Sequence, residues 1–241
     1  MSKLVIVGAG PFAEIAYEYF TYDSEYDVVG FSVEAAFLES DSLCGLPVVA
    51  FEELETHFPP AEHSVYVAST YTHINRLRTR LAAAAKARGY PLASYVSSRA
   101  FVWRNAVLGE HCFVFEDNTV QPFVTIGNDV TLWSGNHIGH DSVIHDHCFL
   151  ASHIVVSGHC VVGAYSFIGV NATLRNGITL APESLIGAGA LIMKDTVPKG
   201  VYVPERTPLF KKKSGKPHPV GGHKDHIHLS VDALPSTKET L

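Results

Sequence analysis

The chain has 241 residues, with 18 Lys and Arg against 24 Asp and Glu, 46% hydrophobic residues and a mean hydropathy of +0.13. That composition excludes a disordered chain, and a net charge of −6 excludes a basic nucleic-acid binder. Apolar runs fall far short of the ~18 residues a spanning helix needs, so no membrane segment is expected. The stretch from Met1 to Val7 lacks the basic region and long apolar core of an export signal, which leaves the cytoplasm as the expected compartment.

Residues 1–95 have the pattern of a Rossmann-like α/β domain. Strand-like runs at Leu4 to Val7, Asp27 to Phe31, Pro47 to Ala50 and Ser64 to Ala68 alternate with helical stretches at Phe12 to Phe20 and Thr72 to Arg88. The first strand runs straight into Gly8-Ala9-Gly10-Pro11-Phe12-Ala13-Glu14. Glycines there permit a tight turn, and the helix that follows offers free N–H groups and a positive dipole end to a phosphate. The third glycine of the dinucleotide pattern is replaced by Ala13, and Phe31-Ser32 stand where a ribose-binding carboxylate is expected. This argues against NAD and leaves two readings, a nucleotide or nucleotide-sugar site and a purely structural turn.

From residue 102 a different rule takes over. Every sixth position from Val102 to Ile192 is aliphatic, sixteen in succession, and the next residue is repeatedly glycine (Gly127, Gly139, Gly163, Gly169, Gly187). The fourth residue on is mostly small or β-branched, as at Cys112, Val124, Ser142, Cys148, Cys160 and Ala172. A period of six is a β-helix repeat, and hexads of this kind mark the left-handed parallel β-helix, with three hexads to each coil. The expected prism spans residues 96–203. The four cysteines, Cys44, Cys112, Cys148 and Cys160, form no CxxC pair and are expected to be buried thiols rather than disulfide partners, three of them in the small inward slot of the prism. Residues 204–241 are polar, with a lysine run at Lys211 to Lys213 and histidines at 218, 223, 226 and 228. They are expected to form an extension with no core of its own, solvated or lying against a phosphate, and the histidines to take up at most adventitious metal.

Six histidines lie between residues 137 and 159. On an eighteen-residue grid His140 falls one coil below Gly158, and Asp141 falls directly below His159. A histidine beside a carboxylate and under a residue without a side chain is a workable set for acyl transfer: a base, a group to orient it and a backbone donor for an oxyanion. Asn118 and Asn136 occupy one inward slot a coil apart, and read either as a stacked amide ladder or as sugar contacts.

Taken together, the stretches Gly8 to Glu14, Asn136 to Ile144, Ser157 to His159, Phe167 to Thr173 and Leu185 to Ala190 resemble the bacterial sugar acyltransferases grouped with the sialic acid O-acetyltransferases. Members of that group N-acetylate nucleotide-linked amino-dideoxy sugars with acetyl-CoA during surface-glycan (lipopolysaccharide and O-antigen) biosynthesis. The resemblance covers residues 1–203. It implies that His140 is the base, Asp141 its companion and Gly158 the donor near the thioester carbonyl. It implies acetyl-CoA along Phe149, Val170 and Gly187-Ala188-Gly189, with no metal. The nucleotide of the sugar donor would sit on Gly8, Gly10, Pro11 and Phe12, at Phe31 and Ser32 and near Ser69, and the assembly would be a homotrimer with acetyl-CoA between neighbouring prisms. Ser32 in place of an acidic residue, and Val203-Pro204-Glu205-Arg206 at the close, depart from the family pattern. O-acetylation of a sugar hydroxyl is the alternative within the same chemistry. Outside it stand a zinc hydratase of the γ-carbonic anhydrase kind, which shares the prism, and a non-catalytic nucleotide-sugar sensor.

Overall fold

The computed structural model describes residues 2–205 and 207, and the chain up to Pro204 forms one compact unit. The expectations for the lysine and histidine runs of residues 211–228 lie outside the described residues. In chain order the first part comprises β1 (Ser2–Val7), α1 (Pro11–Tyr22), β2 (Tyr26–Val33), β3 (Ser42–Leu43), β4 (Leu46–Ala50), α2 (Leu54–His57), β5 (His63–Val67) and α3 (Arg76–Ala87). The sheet order is β3-β4-β2-β1-β5, parallel except for the β3–β4 hairpin. β1 lies between β2 and β5, and its residues Leu4 to Val7 are buried on both faces, which is why they form an unbroken aliphatic run rather than an alternation.

Two elements differ from expectation. α3 begins at Arg76 rather than Thr72, because His73, Ile74 and Asn75 take left-handed φ values of 50°, 53° and 64°. The Asn75 amide donates to the His147 carbonyl at 2.6 Å, which anchors that turn and sets where the helix starts. β2 runs to Val33, two residues beyond the expected end, so the first carboxylate after the strand is Glu34. The short β3 and α2 left no periodic signal in the sequence.

Two-residue strands from Tyr95–Val96 to Val201–Tyr202 make up the rest, in parallel sheets of six, five and seven strands. Successive coils pair residues eighteen apart, His137 with Val155 and Val155 with Thr173. The first face carries Phe101, Thr119, His137, Val155, Thr173 and Leu191 outward; the second carries Val107, Thr125, Val143, Val161 and Thr179. The third carries Tyr95, Phe113, Thr131, Phe149, Phe167 and Leu185. The second residue of nearly every strand points inward and is almost wholly buried, giving a continuous column of Val, Leu and Ile. Each such side chain contributes about 1.5–3 kcal/mol by leaving water. Cys112, Cys148 and Cys160 sit in that column and bond to carbonyls of Gly127, Gly163 and Arg175 at 3.1–3.3 Å. Burial pushes the Cys112 thiol up to about 11 and that of Cys148 to about 12, so neither supplies a thiolate. Cys44, in the turn between β3 and β4, is exposed rather than buried as expected.

Each corner needs one residue in the left-handed region. Fourteen such positions recur at intervals of six from His111 to Gly189, with φ between 55° and 76°. Asp, Asn and His tolerate that conformation better than other side chains. His147, His153 and His159 occupy these slots, so half of the histidine cluster has a conformational origin.

The third face carries the α/β sheet. Phe12, Phe20 and Tyr66 of the sheet layer meet Tyr95, Phe113 and Phe115 of the prism in one aromatic core. Further along, α3 sends Arg78, 1% exposed, into the prism, where Nε bonds Asp129 Oδ1 at 2.7 Å, Nη1 bonds Thr131 Oγ1 at 2.7 Å and Nη2 bonds the Asp129 carbonyl at 2.6 Å. His111 and His147 each place Nδ1 on the same carboxylate, at 2.7 and 2.9 Å. Burial works to raise the Asp129 carboxyl, but the Arg78 charge and the two histidine bonds hold it well below the usual carboxylate range.

Candidate active site at a prism corner

His140 and Asp141 lie in the turn between strands His137–Ile138 and Val143–Ile144, at the corner joining the first and second faces. The coil below holds the backbone: the His140 N–H donates to Gln121 Oε1 at 2.9 Å and the Asp141 N–H to the Pro122 carbonyl at 3.1 Å. From the coil above, the His159 N–H donates to the His140 carbonyl at 2.9 Å. Tied on both sides, the turn leaves its side chains free, and the His140 side chain is 50% exposed.

Nδ1 of His140 stands 2.8 Å from Asp141 Oδ2. Because a carboxylate only accepts, this contact places the ring proton on Nδ1 and leaves the Nε2 lone pair free. A Cβ on Gly158 would fall 2.8 Å from Nε2 and 2.9 Å from Cε1, so glycine is what keeps that nitrogen open. The Gly158 N–H has no protein acceptor among the described residues and remains available as a donor. Asn176, one coil further up, brings its Oδ1 beside the same point, and the His159 ring stands edge-on to His140 with centroids 4.9 Å apart. Gln121, Asn176 and His159 were not singled out from sequence as partners of His140, although the eighteen-residue register holds the signal.

A second concavity, about 320 Å³, opens at the end of β1 and is lined by Gly8, Gly10, Pro11, Phe12, Glu34, Ser69 and Thr70 among others. Gly8 has φ of 137°, and a Cβ there would meet the Ala68 carbonyl oxygen at 2.7 Å. Gly10 is the N-cap of α1 with nothing within 4 Å of where its Cβ would be. The N–H groups of Gly10 and Phe12 have no protein acceptor among the described residues, so the dipole end of α1 is open.

Several expected contacts take other places. Phe31 and Ser32 are fully buried in the sheet and do not line the cavity, whereas Phe12 does line it, with most of the residue buried against Phe115 and Trp133. The expected gap in acidic residues after β2 is filled by Glu34, whose carboxylate is gripped by both Nη atoms of Arg80 at 2.8 Å; that fork lowers its pKa. Asn118 and Asn136 are interior: their amides donate to the Phe115 and Trp133 carbonyls at 2.6–2.8 Å, and Asn136 Oδ1 accepts the Ile154 N–H. Both amides are spent inside the prism, where they share the Trp133 carbonyl, and neither lines the cavity. Phe149 is 4% exposed under Tyr71, between Trp133 and Phe167 on the third face.

Val170 and Gly187-Ala188-Gly189 lie at the corner joining the third and first faces. His140 occupies the corner that does not border the third face, and the α/β cavity belongs to the part carried by that face. One chain therefore brings His140, Asp141 and Gly158 together and keeps them apart from the other expected ligand contacts.

The architecture has close counterparts among solved structures. The acetyltransferase domain of PglB from Neisseria gonorrhoeae superposes with a TM-score of 0.73 at 25% identity, covering 81% of this chain and 93% of that one. The chain has the fold of the left-handed β-helix sugar acetyltransferases. A PglB domain structure in complex with acetyl coenzyme A gives 0.73 at 24% identity, over 83% of this chain and 94% of that one. PerB from Caulobacter crescentus, in complex with CoA and GDP-perosamine, gives 0.69 at 23% identity, over 84% and 92%. No protein-family model matches the chain.

Proposed function

We propose that the chain is an acetyl-CoA-dependent N-acetyltransferase of a nucleotide-linked amino-dideoxy sugar in bacterial surface-glycan biosynthesis. The observation that carries this reading is the His140–Asp141 pair, with a free Nε2 lying under the Cβ-less Gly158. The fold shared with acetyltransferases that bind acetyl-CoA and GDP-perosamine supports it. As a sugar amine attacks the thioester carbonyl, nitrogen must lose a proton, and Nε2 takes it; a base so placed contributes ~10²–10⁴-fold. Asp141 holds the tautomer, the Gly158 N–H receives the oxyanion, and collapse expels the CoA thiolate, to which the imidazolium returns the proton. No covalent enzyme intermediate is needed. The open end of α1 takes the diphosphate, Ser69 stands at the same cavity, and Glu34 accepts from a ribose hydroxyl.

Because Val170 and Gly187 to Gly189 sit at a different corner from His140, the complete site forms between chains, with acetyl-CoA lying between neighbouring prisms of a homotrimer. Light scattering should give the trimer mass, and a monomer at micromolar concentration would count against the shared site. The activity is tested with acetyl-CoA and a panel of UDP-, GDP- and dTDP-linked sugars bearing either an amine or only hydroxyls, followed by mass spectrometry. Addition of one acetyl group to an amino sugar is expected. Acetylation of the hydroxyl sugars alone would replace the amine with an alcohol acceptor, and turnover of none would leave a nucleotide-sugar sensor.

A further inference from the structure

His159 has no part in the transfer just described, yet one ligating atom each from His140, Asp141 and His159 can be chosen so that all lie within 4.8 Å of one another. The register brings this about: His159 stands one coil above Asp141, and left-handed φ values of 56° and 57° place both at the same corner. All three residues are exposed. Two imidazoles and a carboxylate are donors suited to a borderline dication, and far better matched to Zn²⁺ than to Mg²⁺. Tetrahedral coordination with bonds of about 2.0–2.2 Å sets ligand atoms about 3.4 Å apart. The Nδ1 to Oδ2 separation of 2.8 Å opens to that spacing with a small rotation, and the His159 ring closes the third position.

We propose that His140, Asp141 and His159 form a reversible site for Zn²⁺ or a similar transition-metal dication, whose occupancy switches off the base. The inhibition rests on the function proposed above, whereas the binding does not. The step balances without a further reactant. The ion takes the Nδ1 lone pair of the other imidazole tautomer, the ring proton moves from Nδ1 to Nε2, and water supplies the fourth ligand. Nε2 is then an N–H donor and has no lone pair for the sugar amine's proton.

The test is calorimetric titration of the full chain with Zn²⁺ and, separately, Mg²⁺. Wild type is compared with His159→Asn and with a tail variant in which His218, His223, His226 and His228 are all Asn. One zinc ion per chain should be lost or weakened by ~10-fold or more in His159→Asn, at least the scale seen when a metal ligand loses a supporting partner. The tail variant should retain that ion, and Mg²⁺ should not compete for it. In the transfer assay, with zinc in excess over released CoA thiol, wild type should stop and recover on chelation, while His159→Asn stays active and resists zinc. Unchanged zinc affinity in His159→Asn, loss of the ion in the tail variant, or equal binding of Mg²⁺ overturns the site. Full turnover at saturating zinc overturns the switch. Zinc binding through His159 in a chain that acetylates nothing would leave the site standing and remove the function.

Discussion

In β1 four successive residues, Leu4 to Val7, are buried because the sheet is covered on both faces, so none of those four side chains is free for chemistry. In the prism nearly every two-residue strand commits its second residue to the core, on the first and second faces its first residue stays outside, and each corner adds turn residues that packing scarcely constrains. The α/β part therefore builds its cavity beyond the strand end, from the backbone of Gly8, Gly10 and the open end of α1 together with side chains such as Glu34 and Ser69. The prism can place His140 and Asp141 on its edge at almost no expense in stability. What joins the two parts is an aromatic core and, beside it, the Arg78–Asp129 cluster, with Tyr66 of the core packed against His111 of the cluster.

That contrast breaks most visibly at Arg78. Replacing it with methionine leaves the Asp129 carboxylate buried among His111, His147 and Thr79 without its cation, which should cost about 3–5 kcal/mol. Urea denaturation should then separate into two transitions; one transition at the wild-type midpoint would mean that the aromatic core alone unites the parts. Within the prism, Ile144→Ala should cost about 2–5 kcal/mol, while the outward Thr125→Ala stays within about 0.5 kcal/mol. Equal effects at the two positions would contradict the division between inward and outward residues. At the corner, His140→Gln should lower kcat by ~10² or more with the melting temperature unchanged. A stable variant with undiminished turnover would remove His140 from the mechanism.

The smallest effect concerns pH. Burial works to raise the Asp23 carboxyl, but bonds from Ser98, Tyr95 and Ser97 outweigh it and hold it at about 2, against an ordinary value of 3.8. A depressed carboxylate stabilises the fold above its unfolded value, and the contribution is lost as pH falls through the folded value. Wild type should thus be more stable than Asp23→Asn at pH 5, with the gap closing between about pH 4 and pH 2. A gap that persists at pH 2 would assign the effect to packing.

The prism was legible because its period is covalent: Val102 to Ile192 repeat every six residues whatever surrounds them. The same grid brought Gly158 over His140 before any coordinates. It put Asn118 and Asn136 in an inward slot but could not choose between interior amides and sugar contacts, since that depends on carbonyls such as those of Phe115 and Trp133 receiving their N–H groups. In the α/β part the strand β2 outran its pattern by two residues, because Ser32 is buried there despite its hydroxyl, and so Glu34 was overlooked. The start of α3 was misplaced for a similar reason: the turn at His73 to Asn75 is fixed by His147, seventy-two positions away.

The eighteen-residue coil makes the prism a screw with a counted thread. Inserting six residues between Asp141 and Gly158 would preserve every inward aliphatic position, yet rotate all that follows by a third of a revolution and carry Gly158 to a different edge. Inserting eighteen would restore the edge but lift Gly158 one thread, about 4.8 Å, away from His140. Phase decides the angular position and whole turns decide the height, so length changes in this part of the chain can spare the fold while dismantling the site.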